Sequence, residues 1–129
     1  MEIRDDIASC WRILLVDDSA DDAELVGIEL TQAGIEADLR CIDSEESLRA
    51  ALQDFAPQLV LSDMRMPGFS GLRAIELVRE LAPGTPFVFL SGDSAEDPRG
   101  REAMPAPDAR LSKDDLDRLP ELVRGFLAR

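Results

Sequence analysis

Three short apolar runs dominate the chain: Ile13-Leu14-Leu15-Val16, Leu59-Val60-Leu61 and Phe87-Val88-Phe89-Leu90. Each is continuous rather than alternating, so each reads as a strand buried on both faces. Such a strand needs helices above and below it. The stretches between the runs supply them, with apolar residues three and four positions apart. This alternation predicts an α/β fold, a parallel sheet covered on both sides and built with right-handed crossovers.

Local signals place the elements. The first strand spans residues 12–17. Ser19 caps the first helix, with Asp22 in capping-box spacing. The stripe of that helix is Ala23, Val26, Leu30 and Ala33, and Gly34 ends it. Ala37, Leu39 and Cys41 alternate with polar neighbours as on a half-buried second strand. Asp43 and Glu46 form a second cap signal before the stripe Leu48, Ala51, Leu52 and Phe55. The third strand covers residues 58–62. The third helix follows Gly71, with Leu72, Ile75, Val78 and Leu81 facing inward, until Pro83-Gly84 stops it. The fourth strand covers residues 86–90. Pro98, Gly100, Pro105 and Pro107 then allow a short fourth helix and a loop between residues 94 and 108. Ala109–Ser112 makes a short, polar fifth strand, expected at the sheet edge. Leu116, Leu119, Val123 and Phe126 carry the last helix, whose regular part begins near Leu119 because of Pro120.

A length of 129 residues suits one domain with one well-buried core. The formal charge of −13 disfavours binding to nucleic-acid phosphates or to an anionic membrane surface. Cys10 and Cys41 match neither a disulfide framework nor a zinc pattern and are expected to pack as small apolar side chains. The N-terminus lacks a secretory signal pattern, and no segment is long and apolar enough to span a membrane. A soluble cytoplasmic protein is therefore expected. The absence of histidine excludes histidine-based catalysis within this chain.

The chemistry gathers at the strand ends. Asp17 and Asp18 follow the first run, Asp63 the third strand, Ser91 the fourth and Lys113 the fifth. In an open parallel sheet such ends share one rim, where α/β folds place their sites. Taken singly, each residue has a plain reading: Asp17 and Asp18 as turn residues, Ser91 as half of a turn pair with Gly92, Lys113 as a solvated charge. Independent turns do not explain why all five stand at strand ends. Carboxylates about 4 Å apart repel by roughly 1–4 kcal/mol per pair. Such a cluster calls for a cation, and hard oxygen ligands suit Mg²⁺. Asp63 can be a ligand only, or also a nucleophile forming an acyl phosphate.

From residue 11 to about 128 the chain resembles the receiver domain of two-component response regulators. The carrying motifs are ILLVDDS, LVLSDMRMPGFSG, FLSG and LSKDD, including Asp-x-x-Met-Pro-x-x-x-Gly from Asp63 to Gly71 and the step from Ser91 to Lys113. The resemblance implies a flavodoxin-like (βα)5 fold with strand order 2-1-3-4-5, as a single domain over residues 1–129 with 1–10 as an N-terminal extension. It implies Asp63 as phosphoacceptor from a phosphohistidine on a sensor histidine kinase or a histidine phosphotransfer protein. It implies Mg²⁺ held by Asp18, Asp63 and the backbone carbonyl of Arg65, with Asp17 acting through metal-bound water. Ser91 would sense the phosphoryl group and Lys113 would balance its charge.

Two positions depart from the family pattern. The usual aromatic switch position holds Arg110, and Lys113 is followed by Asp114 instead of proline. Intact phosphorylation chemistry with an atypical readout is therefore expected. The main alternative is a pseudo-receiver, an interaction module that never carries phosphate. A Mg²⁺-dependent phosphohydrolase is a third reading, disfavoured because Arg65 stands where such enzymes carry an acid/base aspartate, so no enzyme is expected. The chain is expected to be either a single-domain regulator or a piece of a larger hybrid protein. A weak homodimer through the last strand and helix is the alternative to a monomer.

Overall fold

The computed structural model describes residues 11–63, 69–91 and 107–127, and for Ser91 the backbone alone. Five parallel strands form one sheet in the order 2-1-3-4-5. They are β1 (Trp11–Val16), β2 (Ala37–Ile42), β3 (Leu59–Asp63), β4 (Phe87–Ser91) and β5 (Ala109–Ser112). The helices are α1 (Ala20–Gln32), α2 (Glu45–Asp54), α3 (Gly71–Leu81) and α4 (Leu119–Leu127), with a 3₁₀ segment Lys113–Arg118 leading into α4. The helix expected between residues 94 and 108 lies outside the described residues.

Strand alternation divides the core in two. Leu14, Val16, Val60, Phe87 and Phe89 face α2 and α3. Ile13, Leu15, Leu59, Leu61, Val88 and Leu90 face Val26 and Leu30 of α1 and Leu119 and Val123 of α4. Residues 13–16, 59–62 and 87–90 of the three central strands are almost fully buried, which is why those runs are continuously apolar. Burying such a side chain contributes about 1.5–3 kcal/mol. β5 is an edge strand of half-buried residues, as its polar sequence predicts.

Three local readings are corrected. The cap of α2 is Ser44, whose hydroxyl accepts the Ser47 N–H at 3.1 Å, one residue later than the Asp43 signal. On α3 the inward residues are Ala74, Ile75, Leu77 and Val78, while Leu72 and Leu81 are exposed. Leu72 lies about 100° round the helix from the buried Gly71, and Leu81 stands in the last turn. Cys41 is exposed rather than packed, because it falls on β2, the opposite edge strand.

The end of α1 follows its sequence signal closely. Gly34 adopts φ +80°, its N–H donates to Thr31 O, and the Ile35 N–H donates to Leu30 O, both at 3.0 Å. That is the paired Schellman arrangement, with Ile35 and Leu30 packed in the same core.

Candidate functional site

β1 and β3 are adjacent and parallel, so their C-terminal ends share one rim. Asp17 follows β1 directly and Asp63 is the last residue of β3. Both are buried polar residues, at 2% and 9% relative exposure, whereas Asp18 is exposed. One oxygen from each of Asp17, Asp18 and Asp63 lies within 4.8 Å of the others.

β5 hands the chain to the 3₁₀ segment at Lys113, after Ser112 caps it by accepting the Asp114 N–H at 3.1 Å. Here Asp114, in the place of the family's proline, supplies the N–H that the cap receives. The Lys113 side chain reaches over the rim, where Nζ is 3.0 Å from Asp17 Oδ2, 2.5 Å from Asp22 Oδ2 and 3.6 Å from Asp63 Oδ1. Burial by itself would lower the Lys113 pKa. The hydrogen bonds from Asp22 and Asp17, with the charges of Asp17 and Asp63, outweigh it and hold the ammonium above the usual lysine range.

Asp17 is fixed from several sides. Its Oδ1 accepts the Ser19 N–H at 2.9 Å, its carbonyl accepts from Cys41 Sγ at 3.3 Å, and its own N–H donates to Ile42 O at 2.9 Å. Although Cys41 as a residue is exposed, its thiol is partly shielded from water where it meets Asp17. That shielding and the charges of Asp17, Asp43 and Asp18 push its pKa up, with the hydrogen bond to Asp17 pulling the other way. Four carboxylates face one ammonium, leaving three negative charges in excess. The donor set is therefore one for a hard divalent cation, and three carboxylates from two strand ends fit Mg²⁺.

Of the residues singled out in the sequence, Asp17, Asp18, Asp63 and Lys113 come together. Ser91 ends β4 beside them in register, with Asp63 opposite Leu90 and Ser91 opposite Ser112. Its side chain and Arg65 lie outside the described residues. Arg110 sits opposite Phe89, its guanidinium carbon 5.7 Å from the ring centroid, a cation–π distance. Sequence reasoning missed Asp22 as a site residue. Its N–H donates to the Ser19 hydroxyl at 3.2 Å as a cap predicts, but Asp17 takes the Ser19 N–H and the Asp22 carboxylate turns to Lys113. The available signal was proximity in sequence, since Asp22 follows Asp18 by four residues in the first turn of α1.

The model of the response regulator receiver domain matches residues 13–124. The chain belongs to this family. As a receiver domain of a two-component system it has relatives among regulators and kinases alike. It is 36% identical over 121 residues to response regulator Rre1 of Synechocystis, covering 91% of this chain and 52% of that one. It is 34% identical over 84 residues to the autoinducer 1 sensor kinase/phosphatase LuxN of Vibrio campbellii, covering 65% of this chain and 10% of that one. The receiver domain thus spans between a tenth and about half the length of these relatives. A putative response regulator from Chloroflexus aurantiacus superposes with a TM-score of 0.74 at 26% identity, covering 92% of this chain and 98% of that one. The BeF3-activated DrrB receiver domain gives 0.75 at 24% identity, covering 93% and 99%, a likeness of fold. Receiver domains generally bind Mg²⁺ at an acidic pocket and interact with histidine kinases and phosphotransfer proteins. Among the described residues no helix is long and apolar enough to cross a membrane.

Proposed function

We propose that Asp63 accepts a phosphoryl group from a phosphohistidine on a sensor histidine kinase or a histidine phosphotransfer protein. What carries this reading is the buried Asp63 carboxylate with the Lys113 ammonium 3.6 Å away, at the rim of a receiver fold. An Asp63 oxygen attacks phosphorus. The P–N bond to the imidazole breaks and its electron pair stays on that nitrogen; a proton already on the other ring nitrogen, or one taken up from water, leaves the donor histidine neutral. The carboxylate becomes an acyl phosphate carrying more negative charge than before, which the Lys113 ammonium is close enough to pair with.

Asp18 and Asp63 would hold Mg²⁺ directly, with the Arg65 carbonyl completing the protein ligands as the family implies. Both Asp17 oxygens already have protein partners, Ser19 N–H and Lys113, which favours a part played through water. Mg²⁺ bound there supplies positive charge to the carboxylates and to the phosphoryl oxygens. Ser91, whose backbone pairs with Ser112 at the end of β4, is proposed as the phosphoryl hydrogen-bond donor. Arg110 over Phe89 occupies the position of the missing aromatic switch, so the readout is proposed to run without an aromatic rotamer change. The chain acts as a signalling module in the cytoplasm, without catalysis on a separate substrate.

The test is intact mass after incubation with Mg²⁺ and acetyl phosphate. A single phosphoryl adduct on the wild type, lost in Asp63→Asn, supports the reading. An unmodified wild type favours a phosphate-free interaction module, and continuous phosphate release at high turnover favours a hydrolase.

A further inference from the structure

Lys113 has three carboxylate neighbours, and they are not equivalent. Asp22 at 2.5 Å and Asp17 at 3.0 Å take hydrogen bonds, whereas Asp63 at 3.6 Å lies beyond that range. The residue proposed to receive the phosphoryl group is therefore the one that holds the ammonium least. Asp17 is occupied on both oxygens, so its hold on Lys113 belongs to the scaffold of the rim. Asp22 is different. It stands in the first turn of α1, its side chain 28% exposed, and its carboxylate is spared the capping bond because Asp17 makes it instead.

We propose that Asp22 is a positioning residue of this site: its carboxylate holds the Lys113 ammonium and sets how readily that ammonium pairs with a phosphoryl group on Asp63. The proposal rests on the phosphoacceptor reading and adds a residue to it. A phosphoryl group arriving on Asp63 must draw Lys113 away from Asp22. Asp22 thereby opposes the phosphorylated state, and removing its charge favours that state. Lys113 is the only lysine in the chain, so no second ammonium can take its place.

The experiment measures the affinity for beryllium fluoride in saturating Mg²⁺ by calorimetry, for wild type, Asp22→Asn and Asp21→Asn. Beryllium fluoride stands in for the phosphoryl group. Asp22→Asn is expected to bind roughly tenfold tighter, the low end for one charge-assisted hydrogen bond. Asp21→Asn removes an exposed charge of the same turn and is expected to stay within about twofold of wild type, as for a screened surface charge. With lysine isotopically labelled, the single Nζ–Cε signal should differ between wild type and Asp22→Asn before any ligand is added. Asp22→Ser is the second uncharged variant if the amide perturbs the helix. An unchanged affinity in Asp22→Asn, or an equal gain in Asp21→Asn, overturns the proposal, and so does an unmoved lysine signal. A wild type that binds no beryllium fluoride overturns the phosphoacceptor reading itself, which distinguishes the two failures.

Discussion

At the scale of single residues, the site is defined by an imbalance: one ammonium among four carboxylates. Asp18 is the exposed member and can be neutralised without leaving a buried group unpaired. In metal-free buffer Asp18→Asn should gain about 1 kcal/mol in urea unfolding, the repulsion of one carboxylate pair fully screened by water. In wild type, Mg²⁺ at ten times its dissociation constant should add about 1.4 kcal/mol, and Asp18→Asn should lose most of that gain. A variant that keeps the full Mg²⁺ gain contradicts Asp18 as a ligand. Lys113 titrates above the ordinary lysine value in the folded chain. Its stabilisation is therefore fully present below the unfolded lysine pKa and is lost as pH rises through the higher folded value. A Cε NMR titration of this single lysine should show its midpoint above that of a denatured control. A midpoint at or below the control contradicts the Lys113 contacts. Asp17, Asp18, Asp63 and Lys113 were legible because each stands at the end of an expected strand. Asp22 was not, because its helix-cap position explains it locally and its partner lies 91 residues away.

At the scale of elements, caps and turns carry most of the local specification. Gly34 met its expectation because a left-handed end of a helix favours glycine. Ala56, just after α2, adopts φ 50° without that advantage. Its N–H donates to Ala51 O at 3.1 Å and its carbonyl accepts from Arg12 Nε at 2.9 Å, so the turn is held in spite of the side chain. The left-handed region costs an L-residue about 1–2 kcal/mol, and glycine's extra chain entropy returns about 0.5–1 of it. Ala56→Gly should thus stabilise the fold by about 0.5 kcal/mol, read as a higher urea midpoint with unchanged slope. A lower midpoint contradicts this account of the turn. The face of α3 was only partly legible. Leu72 and Leu81 fit a spacing of three and four as well as Ile75 and Val78 do, and only packing against the sheet separates them. Ala74 and Leu77 were hidden for the same reason, since a stripe of four candidates does not say where its centre lies.

At the scale of the molecule, the strand order 2-1-3-4-5 puts β3 at the centre with β1 and β4 on either side. Asp63 therefore stands where both core layers meet, and a charge added there acts on the ends of β1, β4 and β5 together. The sheet itself was legible, because continuous apolar runs admit few alternatives. How the signal leaves the site was less so, since it depends on what occupies the face beside β5. There Arg110 rests on Phe89, whose ring also meets Phe87 edge-on with centroids 5.1 Å apart. With no tyrosine in the chain, the account predicts that Mg²⁺ and beryllium fluoride shift backbone NMR signals mainly at the rim. Large shifts throughout residues 94–112 would contradict an atypical readout.

The central claim is that one carboxylate, Asp63, carries the phosphoryl group. The most direct measurement is borohydride reduction after treatment with acetyl phosphate and Mg²⁺, followed by peptide mapping, because an aspartyl phosphate is reduced to homoserine where it stands. The account predicts homoserine at position 63 and nowhere else. Homoserine at position 17, 18 or 22, or at none, contradicts it.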